Sequence, residues 1–417
     1  MRRRAAVAAA AAAAVLLGGC SSGSIYTNYR EIEQLRLIQT VGFDGVGGGE
    51  GVNLTITSGR GLNGEPALLL SCWGRTVREA MDRAQNYASS EKIFYAHTRY
   101  ILIGEETAEA GLLPVLGFLG RSSQLRLSAN LAVVREDSAR TCMEASGTGD
   151  YDVTETLDSI RQDAVLRGVS QMRTVGALSR DLAERGAGLV CAVRPVDLEG
   201  TLLTQDGTSI PEASSGNQSQ GQSSGSDSPA GASAQTAQQG LIPAGYGVVT
   251  EQGKVVAWLD GIAARGVNIL SEQLGAATLT VDCDDYGTTA LTATQCKTEV
   301  KPVFDGDGAL EALEVQVLLE AVVTEMPAGN VRLDDAFTQA VQKQLACDVA
   351  SWVYEPLELE QRLQADFLAL GPRLARHAPR RITGPEWIGQ LEDAQLRISV
   401  QARVERINTL EERLVQP

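Results

Sequence analysis

Cys20 sits where a cysteine can become a membrane anchor. Met1-Arg2-Arg3-Arg4 is a basic start, and Ala5 to Leu17 is an unbroken Ala-rich apolar run. Leu17-Gly18-Gly19-Cys20 closes the run with small residues before the thiol. This is a secretory signal peptide, too short for a comfortable membrane span. Its last four residues read as a bacterial lipobox. There the thiol is alkylated by diacylglycerol, and cleavage makes Cys20 the new N-terminus. The plainer alternative is an ordinary signal with a chance cysteine. Run length, basic start and terminal Cys agree on lipidation. Two or more acyl chains on one residue hold a protein stably to a bilayer, where one is marginal.

The other reactive residues do not assemble into a site. His97 and His377 are the only histidines, so a multi-His metal centre is excluded. His97 lies between a helix and a strand with no base–nucleophile partner in view. His377 lies among Arg373, Arg376, Arg380 and Arg381, a cluster suited to acidic lipid or a partner, or to the C-terminal end of a helix. The seven cysteines form no C-x-x-C pair. Cys283 and Cys296 flank a hairpin, Asp284 to Gln295, and are the pair to consider for a disulfide in an exported chain. Their spacing alone does not set the distance between them. Gly59-Arg60-Gly61-Leu62-Asn63-Gly64 matches a dinucleotide fingerprint as a string, but Pro66 and a β-like run follow where a helix is required. It reads as a turn. Gly221-Gln222-Ser223-Ser224-Gly225 mimics a hydrolase elbow inside a Ser/Gly tract, without the strand–turn–helix that exposes the serine. Asp305-Gly306-Asp307-Gly308 lacks the remaining calcium ligands and reads as a hairpin turn. No catalytic residue, metal or cofactor follows from these patterns.

The chain has 417 residues, 43% apolar and 21% charged, with ample material for a core. Lys and Arg number 36 against 52 Asp and Glu, a net charge of −16. That balance repels a phosphate backbone, so nucleic acid is disfavoured as a partner. Removing residues 1–19 takes three arginines and makes the body more acidic, so the anchor rather than charge must hold it to lipid.

Behind the tether, periodicity gives strands over 35–43, 52–57, 67–71, 100–103, 127–133 and 189–193. Thr76-Val77-Arg78-Glu79 is a capping box ahead of a helix with Val77, Ala80, Met81, Ala84, Tyr87 and Ala88 on one face. Further helices fit 105–110, 138–145 and 174–185. Residues 204–240 carry no aromatic, Lys or Arg and cannot offset ordering entropy, so they read as a flexible linker. A second domain begins at 241, with strand, turn and strand over 246–259 and a helix over 262–270. Long strands follow at 277–282, 289–304 and 310–326. A long amphipathic helix starts near Leu333, with Phe337, Val341, Leu345, Val349 and Trp352 on one face. Pro356 is expected to break or kink it. A second helical segment, from Leu359 to Leu370, and a last strand, 396–404, complete the chain. Trp73, Trp258, Trp352 and Trp387 read as core or core-edge residues. The fold class is α+β: two or three mixed α/β domains with largely antiparallel sheets and long amphipathic helices in the C-terminal one. The organisation is a signal peptide over 1–20, a domain over 21–203 divisible into two subdomains, a linker over 204–240 and a domain over 241–417.

These residues, in order, resemble the Ger(x)C family, the C-subunit lipoproteins of spore germinant receptors (GerAC and relatives). The blocks are the lipobox with Arg30-Glu31-Ile32-Glu33 and Gly42-Phe43-Asp44, then Ala96-His97-Thr98-Arg99-Tyr100 through Ile103-Gly104-Glu105-Glu106. Gly111-Leu112-Leu113-Pro114 with Phe118-Leu119-Gly120-Arg121 and Arg126 follows. Gly245-Tyr246-Gly247-Val248-Val249 through Leu259-Asp260 and Arg265-Gly266 is next. The last is Asp366-Phe367 to Leu370-Gly371, with Pro379 and Trp387. The long Ser/Gln-rich linker and the stretch between Cys20 and Arg30 depart from the pattern. The resemblance implies a non-enzymatic, membrane-held lipoprotein bearing palmitate-type chains on the outer face of the spore inner membrane. It implies a multispanning A subunit and a transporter-like B subunit as partners, with nutrient binding in those membrane subunits. The alternative function is a solute-binding lipoprotein of a transporter, which needs a cleft between two lobes. An exported hydrolase ranks last, for want of a base–nucleophile pair.

Overall fold

Alternation becomes pairing across most of the chain. The computed structural model describes residues 35–45, 51–58, 67–88, 91–145, 152–197, 201–203, 209–211, 239–326 and 333–405. Thr40–Gly45 (β2) pairs antiparallel with Val52–Thr57 (β3), Val41 facing Ile56 and Phe43 facing Leu54. The expected first strand is split: Leu35–Leu37 (β1) leaves it to pair in parallel with Lys92–Phe94 (β5). Leu69–Gly74 (β4) edges the sheet beside β3. The capping box is present: Thr76 Oγ1 accepts from Glu79 N at 3.2 Å, and the helix runs Val77–Tyr87 (α1). Glu79 returns the favour to the Arg75 amide, at 2.9 Å, rather than to Thr76.

Three further strands make a parallel centre. Tyr100–Gly104 (β6) lies parallel to β2, Asn130–Val134 (β7) parallel to β6, and Ala187–Asp197 (β9) parallel to β7. Parallel neighbours need crossovers. Glu105–Ala110 (α2) and Leu113–Arg121 (α3) link β6 to β7. Ala139–Ala145 (α4), Val153–Arg167 (α5), the short strand Arg173–Thr174 (β8) and Val175–Arg185 (α6) link β7 to β9. Leu127, assigned to a strand by alternation, lies ahead of β7 and is 43% exposed.

The start of the expected second domain belongs instead to this first sheet. Gln239–Thr250 (β12) pairs antiparallel with β9, and Val255–Leu259 (β13) pairs with β12. The physical reason is the open edge of β9: an apolar strand with Val190, Cys191 and Val193 at or near zero exposure needs a partner on its far side. The sheet order is β13-β12-β9-β7-β6-β2-β3-β4. The linker bounds shift too. Thr201–Leu203 (β10) and Ser209–Pro211 (β11) form an antiparallel pair, and residues 239–240 already belong to β12. Residues 204–208 and 212–238 lie outside the described residues, as do the signal peptide, Cys20 and the Gly59–Gly64 and Gly221–Gly225 strings.

Gly261–Leu270 (α7) leads to the second sheet. Thr278–Cys283 (β14), Gly287–Phe304 (β15) and Leu310–Glu325 (β16) form an antiparallel meander, turned at Asp305–Gly308 as the sequence suggests. The last strand, Gln395–Glu405 (β17), adds in parallel to β16, its return made by helices. One of those is Asp335–Leu363 (α8), 29 residues long, whose Phe337, Val341, Leu345 and Val349 are fully buried against the sheet. Pro356 does not end it. The carbonyl that Pro356 leaves without its helical donor is that of Trp352. Gly266 of α7 lies directly against that oxygen; a Cβ there would stand 1.9 Å away. The helix continues past Pro356 with α7 packed closely against this point. Leu370–His377 (α9) follows, and both sheets are mixed.

Candidate functional site

The pair considered for a disulfide, Cys283 and Cys296, is not joined. Register places Cys283 opposite Gly287 at the hairpin and Cys296 opposite Leu319, nine residues further along β15. At about 3.3 Å per residue that separates the two by far more than a disulfide spans. Both thiols are free, and burial raises both, Cys296 to about 11. His97 is exposed on a short 3-10 turn, Tyr95–His97, 5.7 Å from the Phe94 ring. His377 is exposed at the end of α9. The arginines around it are partly structural. Arg373 donates to the carbonyls of Leu270 and Thr298, and Arg381 lies over the Phe304 ring. Among the described residues no group of three His, Cys, Asp or Glu could hold a metal ion. Trp352 and Trp387 are buried, whereas Trp73 is 39% exposed under the Arg83 guanidinium.

What the structure does bring together is the quoted blocks. Asp44, at the end of β2, is buried, and its two oxygens accept from Ala139 N and Arg140 N, each at 2.8 Å. It thereby caps α4 from another strand. Burial raises its pKa, and the amide bonds oppose the rise. Gly104, at the end of β6, leaves the space: a Cβ there would sit 2.3 Å from Asp44 Oδ1. The next residue, Glu105, accepts from Arg135 Nε at 3.1 Å and from Glu136 N. Arg135 reaches on to Asp260 at 2.9 Å and lies over Trp258. So the ends of β6 and β7 are clasped to the end of β13, while the end of β2 holds α4.

A second cluster joins the two sheets. Tyr246 on β12 donates to Asn268 Oδ1 on α7 at 2.7 Å and accepts from Gln171 N. Asn268 donates to the carbonyls of Gly168 and Val169, closing the end of α5. Below it, Leu359, Ala365 and Phe367 from the α8–α9 region pack with Leu189, Val248 and Leu259 of the first sheet. Beside that apolar contact runs a chain of charges. Arg173 pairs with Asp181 at 2.6 Å, Asp181 with Arg185 at 3.0 Å, and Arg185 donates to the Asp366 carbonyl at 3.2 Å. The Asp366 carboxylate accepts from Leu370 N and Gly371 N and so caps α9.

Glu360, in the last turns of α8, is fully buried against Asp366. One oxygen accepts from Leu368 N at 2.7 Å, while no donor reaches Oε1. Burial first, and the neighbouring Asp366 charge second, hold the Glu360 carboxyl well above the ordinary range. A neutral Glu360 donating to the Asp366 carboxylate satisfies both groups. Sequence pattern did not single out Glu360, because its partners lie in the segment between α8 and α9, with Arg185 at the end of α6. Nor did it find α5, although Asp152, which accepts from Thr154 N and Glu155 N, stands three residues before Glu155 in the manner of a cap. Tyr100 is likewise completed only by tertiary structure: it donates to Asp158 and accepts from Arg161 on α5, and its pKa is pushed up to about 12.

Comparison with known proteins agrees with this placement. Residues 28–195 match the family described as spore germination protein N-terminal domain, and residues 244–408 that described as spore germination B3/GerAC like, C-terminal. The crystal structure of the GerBC protein superposes with a TM-score of 0.54 at 12% identity, over 87% of this chain and 96% of that one. At that identity the likeness is one of fold. No curated protein matches.

Proposed function

The chain belongs to the Ger(x)C family of spore germination proteins, and from that premise we propose that it is the lipid-anchored subunit of a nutrient germinant receptor. In this reading Cys20 carries the lipid that holds the body to the outer face of the spore inner membrane. The body assembles or couples the multispanning A and B subunits. The observation that carries the proposal is the match of both family domains, in order, along one chain. Two physical features support it. No helix among the described residues is long and apolar enough to cross a membrane, and the lipobox ending at Cys20 provides for attachment through lipid. The polar residues of the quoted blocks are spent on capping helices and clasping strand ends, as in Asp44, Glu105 and Asp366. That use fits a non-catalytic, rigid coupler that passes displacement between partners.

The test is the Cys20→Ala variant in the spore. The expected result is protein lost from the membrane fraction together with a reduced germination response to nutrient. A variant that stays membrane-bound and germinates normally contradicts the anchor.

A further inference from the structure

The parallel centre contains a topological switch. From β2 the chain moves outward to β3 on one side, while from β6 it moves to β7 on the other. The connection from β2 is an antiparallel hairpin and that from β6 a helical crossover, so the two leave in opposite directions and open a crevice beyond the carboxyl ends of these parallel neighbours, a place resembling the one where open α/β sheets bind ligands. In this protein the crevice is spanned by one bond, Gly45 N to Thr107 Oγ1 at 2.6 Å. Outside it lies a groove of about 640 Å³, bordered by Gly45 at the end of β2 and Thr107 just after β6. That volume is in the range of small-molecule pockets.

The chemistry of the walls is mixed in one direction. Val52, Val77, Val115 and Phe118 supply apolar surface. Arg75 and Arg121 also line it, and neither has an ion-pair partner among the described residues. Arg78 lines it too but is held by Asp82 at 3.0 Å. Glu106 is the one acid along the described walls. In a chain of net charge −16, a groove with three guanidinium groups and one carboxylate is a local reversal of sign. Two unpaired arginines beside apolar walls complement a ligand with a greasy body and one carboxylate, the pairing that guanidinium geometry favours. We infer that the groove at the β2/β6 switch point binds a small organic monocarboxylate with an apolar body.

The test uses the mature chain from Ser21 onward, which carries neither lipid nor the apolar signal run, titrated calorimetrically with octanoate, octan-1-ol and octylammonium. Expected is one octanoate site, at least about ten-fold tighter than either control, a difference of about 1.4 kcal/mol. The Arg75→Ala/Arg121→Ala double variant should bring octanoate to the level of octanol with an unchanged melting temperature. Ala110→Trp, at an exposed position on the groove wall, should abolish binding. No heat with octanoate, equal affinity for octanoate and a control, or octanoate binding that survives Ala110→Trp each overturns the inference.

Discussion

Burial decides the protonation of Glu360, and protonation decides how the junction responds to pH. An ordinary glutamate titrates near 4.5, and this one is held well above that, as Asp366 is held above its own ordinary value. Below the unfolded value both folded and unfolded chains carry the proton, and the group contributes no pH dependence. As pH rises past it, the unfolded chain releases the proton while the folded chain retains it, so stability falls. The fall ends once pH passes the raised folded value. Glu360→Gln keeps an acceptor for Leu368 N and a donor for Asp366 but cannot ionise. Thermal melts across pH should therefore show a shallower decline above pH 4.5 in the variant, with the gap to wild type widening as pH rises. Parallel curves would mean that Glu360 does not hold the proton. The same scale explains the free cysteines: thirteen residues of sequence separation left their distance open, and strand register sends Cys296 far along β15.

At the level of elements, α7 and α8 meet where one helix lacks a hydrogen bond and the other lacks a side chain. Gly266→Ala places a Cβ 1.9 Å from the Trp352 carbonyl oxygen, a backbone atom with nowhere to retreat. The expected cost is about 1–3 kcal/mol, read as a lower denaturation midpoint at unchanged slope. An unchanged midpoint would show that the helices do not pack this closely. Much of this level was legible beforehand. Alternation marked β3, β15, β16 and β17, and the Thr76–Glu79 box marked the start of α1, because those signals are local. The helix α5 carries weak amphipathic patterning, so its periodicity did not announce it, and the Asp152 cap was passed over. The continuation of α8 through Pro356 was hidden because the Gly266 packed against this point is ninety residues away. The site was legible as blocks but not as a place. Asp44 and Gly104 are neighbours, and Arg135 and Asp260 meet, only through tertiary structure.

For the whole molecule, the decisive feature is that β13 and the part of β12 from residue 244, which lie within the C-terminal family match, complete the sheet of the N-terminal one. The two family domains are therefore one mechanical unit, joined by strand pairing, the Tyr246–Asn268 contact and the acid–arginine chain. A fragment ending at residue 203 should leave β9 with a bare apolar edge and fail to give a cooperative melt by circular dichroism; a sharp two-state transition would show the halves to be independent. In the proposed role, with a lipid on Cys20, such a unit would hold membrane subunits in a fixed relation. The most direct measurement is affinity purification of the tagged full chain from spore inner membranes, with its companions identified by mass spectrometry. The account predicts recovery of multispanning receptor subunits in fixed proportion to the chain. Recovery of the chain alone, from membranes that demonstrably contain those subunits, would contradict it.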